Sequence, residues 1–260
     1  MLSKNKVKLI RSLQQKKHRH EQGLFLVEGE KMVAELLAEN SPTGKGIYQI
    51  QELLAVSDWL MEHESLIEEA SFPVEEIKAV DLEKISALKT PNKVLAVVKM
   101  PQRNLRYMED EMVLMLDGVR DPGNLGTIIR TADWFGVSEV ICSLDTVDMY
   151  NPKVVQSTMG SLFRIPVSYR ELTEAIFDLR INNPLKPVYG ATTHGESIYQ
   201  LDLSSNAIIV LGSESHGISE NVGHLITKKI SIPRFGAGES LNVASAAAVL
   251  CSEFKRLQYV

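Results

Sequence analysis

The chain has 260 residues, 44% of them hydrophobic, and a formal net charge of −5. That describes a globular chain able to bury a sizeable core, in one large domain or two smaller ones. No apolar run reaches the length needed to cross a bilayer, and the basic N-terminus lacks the apolar core and cleavage site of a secretory signal. Cys142 and Cys251 lie far apart in apolar surroundings, with no CxxC and no metal-ligand spacing; they read as buried, reduced thiols of a cytoplasmic protein.

Residues 1–20 read as one helix with Val7, Ile10 and Leu13 on its apolar face. They also hold Lys4, Lys6, Lys8, Arg11, Lys16, Lys17 and Arg19 with no acid, so the rest of the chain carries −12. A basic stripe on an acidic body is the footprint of a phosphate-binding surface; the alternative is a solvated helix face. A strand follows at Leu24–Val27, then a helix from Glu30 to Ala38 and a loop at Ser41–Gly44. Short elements come next at Gly46–Ile50 and Leu53–Val56. A helix is expected over 58–70, an extended piece at Phe72–Val74, a helix over 81–88 and a strand at Leu95–Val98. Residues 1–100 thus form a small α/β unit without a catalytic constellation.

Met100-Pro101-Gln102-Arg103-Asn104 opens a linker that spans 101–109. Residues 110–260 have another texture. Strand-like runs at Val113–Leu116, Glu139–Cys142, Pro187–Ala191, Ala207–Leu211 and Lys229–Ile232 alternate with helical stretches near 125–135, 153–160, 171–180, 219–227 and 241–256. Such alternation predicts an α/β domain with a parallel sheet between helices. There is no GxxxxGK[ST], HExxH, GxSxG or GxGxxG, so the common fingerprints for ATP, zinc proteases, hydrolases and dinucleotides are missing.

Three polar loops remain. The first, Leu116–Gly136, runs from strand to turn to helix and carries Asn124 and Arg130. The second follows the strand ending at Leu211-Gly212 and carries Glu214 and Gly217. The third follows Ile232-Pro233, with Gly236 and Gly238, and leads through Ser240-Leu241-Asn242 into a helix rich in small residues. Each has a plain reading: Asn124 as a turn former, Arg130 as a salt-bridged helix residue, Glu214 as a solvated acid, Ser240 as a helix N-cap and Asn242 as a first-turn residue.

Together the loops resemble the three motifs of the SpoU-type (TrmH) RNA methyltransferases of the SPOUT superfamily. Asp121-Pro122-Gly123-Asn124-Leu125-Gly126 with Arg130 matches the first. Leu211-Gly212-Ser213-Glu214 with Gly217-Ile218 matches the second. Ile232-Pro233, Gly236 and Ser240-Leu241-Asn242-Val243 match the third. Asn151-Pro152-Lys153, Ser157, Gly160, Phe163 and Pro166-Val167 are similar to the segment between motifs. Arg234 departs from the pattern, which often has methionine there; Ile218 replaces leucine at nearly constant volume. The first half is similar to the family's small L30e-like RNA-binding domain, through the basic helix and Gly23–Gly29.

The resemblance implies a parallel sheet closed by a deep trefoil knot over about 208–260, a rare exception to unknotted topology. It implies S-adenosylmethionine as cofactor, held by Ala191, Thr192, Thr193, Leu211, Gly212, Glu214, Ile232, Pro233 and Leu241. It further implies a homodimer, no metal, and methyl transfer to a ribose 2′-hydroxyl of ribosomal or transfer RNA, with ribosomal RNA favoured. Arg130, Asn124, Glu214, Ser240 and Asn242 would form the catalytic group, with Glu214 anchoring Arg130 or Asn124. Lys4, Lys8, Arg11, Lys16, Lys17 and Arg19 would hold RNA. A base methyltransferase, a non-catalytic RNA-binding protein and a nucleotide-dependent oxidoreductase are the competing readings.

Overall fold

A computed structural model of the chain describes residues 2–40, 46–68, 70–88, 90, 92–101, 111–181 and 183–256. The loop expected at Ser41–Gly44 lies outside these residues, as does the linker expected over 101–109, Pro101 apart. The chain divides into two compact units. One is Met1–Arg103 with Asp148–Arg164, and the other is Asn104–Val147 with Ile165–Val260.

The first unit opens with α1 (Lys4–Ser12) and α2 (Lys16–Gln22), not one helix. Ser3 caps α1 by accepting from the Lys6 N–H. The break has a side-chain cause: Arg19 folds back and donates through Nη1 to the carbonyls of Leu13 (3.0 Å) and Gln14 (2.9 Å), which the interrupted helix leaves open. Gly23, in the left-handed region at φ 64°, ends α2. The chain continues through β1 (Leu24–Glu28), α3 (Glu30–Glu39), β2 (Ile50–Ala55), α4 (Ser57–Glu62), α5 (Glu64–Ile67), β3 (Val74–Glu76), α6 (Ala79–Ile85) and β4 (Val94–Lys99). The strands form a mixed sheet ordered β1-β4-β2-β3, antiparallel except for β2 with β3. Ile10 and Leu13 join Leu26, Leu54, Leu82, Ile85 and Leu95 in its core.

In the second unit β5 (Val113–Asp117) leads into α7 (Pro122–Trp134) and β6 (Glu139–Cys142). The chain then enters the first unit through Asp148–Arg164, including α8 (Pro152–Thr158). There Phe25 stands 4.5 Å from Tyr150 between ring centroids, Tyr48 donates to the Leu162 carbonyl (2.9 Å), and Arg164 pairs with Glu35. Back in the second unit come β7 (Val167–Tyr169), α9 (Leu172–Ile181), β8 (Val188–Ser197), β9 (Ile208–Gly212), α10 (Glu220–Gly223), β10 (Lys228–Ser231) and α11 (Val243–Arg256).

These six strands form one sheet ordered β10-β8-β9-β5-β6-β7, parallel at every pairing. Its central strands are buried on both faces, as the unbroken apolar runs require. β8 is longer than the Pro187–Ala191 run because its far end pairs with β10 after a register shift. There Gly195 leaves no room for a side chain: a Cβ would lie 2.4 Å from the Ile230 carbonyl carbon. Helix α11 packs on α7 and β9. No helix among the described residues is long and apolar enough to cross a membrane.

Candidate active site

A parallel sheet gathers its ligand-bearing loops at the carboxyl ends of its strands. The three polar loops are the β5–α7, β9–α10 and β10–α11 connections. The first two leave adjacent strands at matched register, with Asp117 opposite Gly212. Asp117 ties them further by accepting from the Ser219 N–H (2.7 Å). The sequence reading missed that carboxylate, although an acid at a strand's carboxyl end was the available signal.

Local chemistry sets each loop. Asp121 caps α7 by accepting from the Asn124 N–H (2.9 Å), and Pro122 occupies the first turn, where its missing N–H costs nothing. Leu125, Ile128, Ile129 and Ala132 bury one face of α7, so Asn124 and Arg130 fall outside it. In the second loop Ser213 and Gly217 exchange backbone hydrogen bonds (3.1 and 2.9 Å), closing a turn that presents Glu214. Gly212 is required by that turn, since a Cβ there would lie 2.1 Å from the Gly217 carbonyl carbon. In the third, Asn242 caps α11, its Oδ1 accepting from the Ala244 and Ser245 N–H groups (2.9 and 3.3 Å). Ser240 therefore is not the cap.

Side chains from all three loops meet in one chain of hydrogen bonds. Asn242 Nδ2 donates to Asn124 Oδ1 (2.9 Å), and Asn124 Nδ2 donates to Glu214 Oε1. Glu214 thus anchors Asn124 and not Arg130. Arg130 is exposed and makes no hydrogen bond or ion pair among the described residues. Ser240 is exposed on the third loop. Beside Asn124, Arg120 donates to Asp145 Oδ2 (2.8 Å), while Ser143 donates to Asp145 Oδ1 (2.7 Å) and accepts from the Gly118 N–H (2.9 Å). Arg120, then Ser143, hold the Asp145 carboxyl below its ordinary range.

The residues expected to hold the cofactor are spread over three neighbouring strands and their loops, with Ala191, Thr192 and Thr193 inside β8 and Leu211-Gly212 at the end of β9. Ala191 pairs with Leu211 across β8 and β9, and Ile232-Pro233 directly follow β10, which pairs with β8. Thr193 and Leu241 are exposed, on β8 and on the third loop. The Thr192 hydroxyl oxygen is buried without a hydrogen-bond partner. A buried hydroxyl left unpaired is costly, so this oxygen calls for a polar ligand atom. An unpaired buried hydroxyl one residue beyond the Ala191–Leu211 pairing fits a ligand that carries polar atoms, as a nucleoside does.

The cations split. Lys4, Lys8, Arg11, Lys16 and Lys17 are exposed on α1 and α2. Arg19 is not available to RNA: it is 1% exposed and paired through Nε (3.1 Å) and Nη2 to Asp148, itself 7% exposed. Its role is structural, which the sequence could not reveal because Asp148 lies far along the chain. Lys6 is likewise engaged, with Glu52 and Glu75. Both cysteines are buried; burial pushes the Cys251 thiol up to about 12 and the Cys142 thiol higher.

Comparison with known proteins fits this geometry. The model of the SpoU rRNA Methylase family matches residues 111–252. The chain belongs to that family. The MRM3-like substrate binding domain matches residues 4–96. Among curated relatives, the 23S rRNA (guanosine(2553)-2′-O)-methyltransferase RlmP of Bacillus subtilis (strain 168) is 33% identical over 94% of each chain. A putative RNA methyltransferase of the TrmH family from Porphyromonas gingivalis superposes with TM-score 0.84 at 37% identity, covering 99% of each chain. The SpoU methyltransferase AviRb from Streptomyces viridochromogenes, in complex with its cofactor AdoMet, superposes with TM-score 0.85 at 26% identity over 99% of each chain.

Proposed function

We propose that this SpoU family member transfers the methyl group of S-adenosylmethionine to a ribose 2′-hydroxyl of ribosomal RNA. The observation that carries the reading is the Glu214–Asn124–Asn242 chain, assembled from all three loops, with Arg130 unengaged on the helix that bears Asn124. S-adenosylmethionine supplies an electrophilic methyl sulfonium. The protein must then orient a weak nucleophile in line and help its proton leave. Asn124 keeps Glu214 and Asn242 in fixed hydrogen-bond roles, which sets donors and acceptors for the ribose. A guanidinium is a donor without an acceptor, so Arg130 acts by electrostatics on the developing alkoxide or an adjacent phosphate, not as a lone base. Ser240 supports the acceptor from the third loop. Thr192 Oγ1, Leu211, Gly212 and Ile232-Pro233 hold the cofactor, Thr192 by the hydroxyl that otherwise lacks a partner.

The working unit in this reading is a homodimer. Arg130 lies six residues beyond Asn124, about 9 Å along the axis and about 120° around it, so the two point to different sides of α7. Trp134, one turn further on the Arg130 side, is 85% exposed. A second copy covering Trp134 would receive Arg130 near its own acceptor site. The exposed lysines of α1 and α2, with Arg11, hold RNA backbone, and the chain past β9 threads the family's knot. A ribosomal RNA substrate and two buried thiols support a cytoplasmic setting.

The test is methyl transfer from labelled S-adenosylmethionine to undermethylated ribosomal RNA, followed by digestion to nucleosides. The expected product is a 2′-O-methyl nucleoside. A base-methylated nucleoside would move the activity to the base, and absence of both transfer and cofactor binding would overturn the reading.

A further inference from the structure

We infer that Phe235 is a stacking platform for a base of the RNA substrate, at or next to the methylated nucleotide. The inference rests on the RNA methyltransferase reading and names a contact that the hydrogen-bonded cluster does not supply. Phe235 is 93% exposed, on the loop between β10 and α11. Every residue from Arg234 to Asn242 on that loop is exposed. A phenyl ring held in water forgoes the free energy that burial would give, and a bound base would recover part of it.

The loop does not hide the ring; it presents it. Arg234 Nη1 donates to the Gly238 carbonyl (3.2 Å), bracing the segment that contains Phe235. The same loop ends in Asn242, which is bonded to Asn124. One short connection therefore carries both an acceptor-site group and an outward-facing ring. Phe235 is the one aromatic between Arg234 and Asn242, on a loop that also carries Arg234, Glu239 and Ser240, with Leu241 (52% exposed) as its other large apolar side chain. That differs from the contiguous apolar area a permanent contact between copies buries. It matches the way proteins hold splayed RNA bases, on an aromatic face beside an arginine.

An acceptor nucleotide in a single-stranded loop or bulge has its base splayed out of the stack. A ring at the rim would replace part of the stacking lost. Its contribution should appear in RNA binding, and in kcat only where stacking also aligns the ribose. This gives Arg234 a purpose: it braces the loop that carries the base-binding ring.

The experiment uses the full chain with an unmodified 23S rRNA transcript and compares Phe235→Ala, Phe235→Leu and Phe235→Trp with wild type. The expected result is a KM for RNA raised roughly ten- to hundredfold in the Ala and Leu variants and near wild type in the Trp variant. S-adenosylmethionine affinity and sedimentation should be unchanged in all of them. The Trp variant should also gain emission that RNA quenches beyond any quench in wild type, which reports stacking even if no methyl is transferred. Phe177→Ala, removing an exposed ring of α9, should leave the KM alone. An unchanged KM in Phe235→Ala with no RNA-dependent quench in Phe235→Trp overturns the inference. Lost cofactor affinity would make the ring a cofactor cover, and dissociation into monomers would make it an interface residue; both also overturn it. Wild type that methylates no RNA would count against the proposed function, whereas the quench decides the stacking separately.

Discussion

Arg19 and Arg130 are the same residue type put to opposite uses. In the first unit Arg19 is buried and fully occupied, with two carbonyls on one side and Asp148 on the other. In the second unit Arg130 is exposed and bonded to nothing described. The contrast extends to several groups of each unit, though not to all of them: Trp59 Nε1 of the first unit is also buried without a partner, and Arg170 of the second pairs with Asp178. In the first, Glu28, Lys6 and Arg164 have protein partners and brace the fold. In the second, Asn124, Glu214 and Asn242 bond one another at the loop edge of the sheet, and Thr192 Oγ1 on β8 has no partner. Arg19, with every contact supplied by the chain, braces the fold; Arg130, left unengaged on the helix that carries Asn124, is available to a ligand.

The sharpest way to break this contrast is to remove Arg19. Arg19→Ala would strand the buried Asp148 carboxylate and two carbonyls, and should destabilise the protein by about 3–5 kcal/mol in urea unfolding. A change near zero would mean that the pair is dispensable. Next in size, Arg130→Ala should lower methyl transfer about 10²–10³-fold while altering stability by less than about 0.5 kcal/mol. Equal losses of stability from the two variants would erase the distinction between them.

Asn124→Asp tests the hydrogen-bond chain. It removes the donor to Glu214 and sets two carboxylates side by side, which raises the pKa of one of them. Transfer should fall about tenfold or more at neutral pH and recover partly as pH is lowered; a flat pH profile would argue against the Asn124–Glu214 contact. Replacing Lys4, Lys8, Lys16 and Lys17 together should flatten the salt dependence of RNA binding, by about 0.7 in the log–log slope for each lost contact to a single strand. An unchanged slope would remove α1 and α2 from the RNA path.

The smallest effect concerns Asp145. Its folded carboxyl is held low by Arg120 and Ser143, so the stabilisation it gives is present above its unfolded pKa and is lost as pH falls through the folded one. Both partners of the ion pair are more than half exposed, so Asp145→Asn should change stability by less than about 0.5 kcal/mol, and only at pH above that acid transition.

What the sequence revealed follows the same division. The strands of the second unit were legible because burial on both faces demands continuous apolar runs such as Val113–Leu116 and Ile208–Leu211. The site loops were legible as polar turns after apolar strands, and their joint resemblance to the three SpoU motifs grouped Asn124, Glu214 and Asn242. The hidden parts depend on distant partners. Nothing local in residues 1–20 announces that Arg19 bends back to satisfy Leu13 and Gln14, so one helix was expected where two exist. Nothing in 148–164 announces that Tyr150, Leu162 and Arg164 complete the first unit's core and surface. The sequence left Arg130 and Asn124 as alternative partners of Glu214, and the fold brings Asn124 to it.

The most direct measurement is single-turnover methyl transfer to ribosomal RNA by Arg130→Ala, with S-adenosylmethionine affinity measured on the same preparation. Transfer should fall by about 10²–10³ with cofactor affinity unchanged, as expected of a group that acts on the reacting oxygen and not on the fold or the cofactor. Transfer at the wild-type rate would contradict the assignment of Arg130 and the view that the unengaged groups of this sheet edge carry the chemistry.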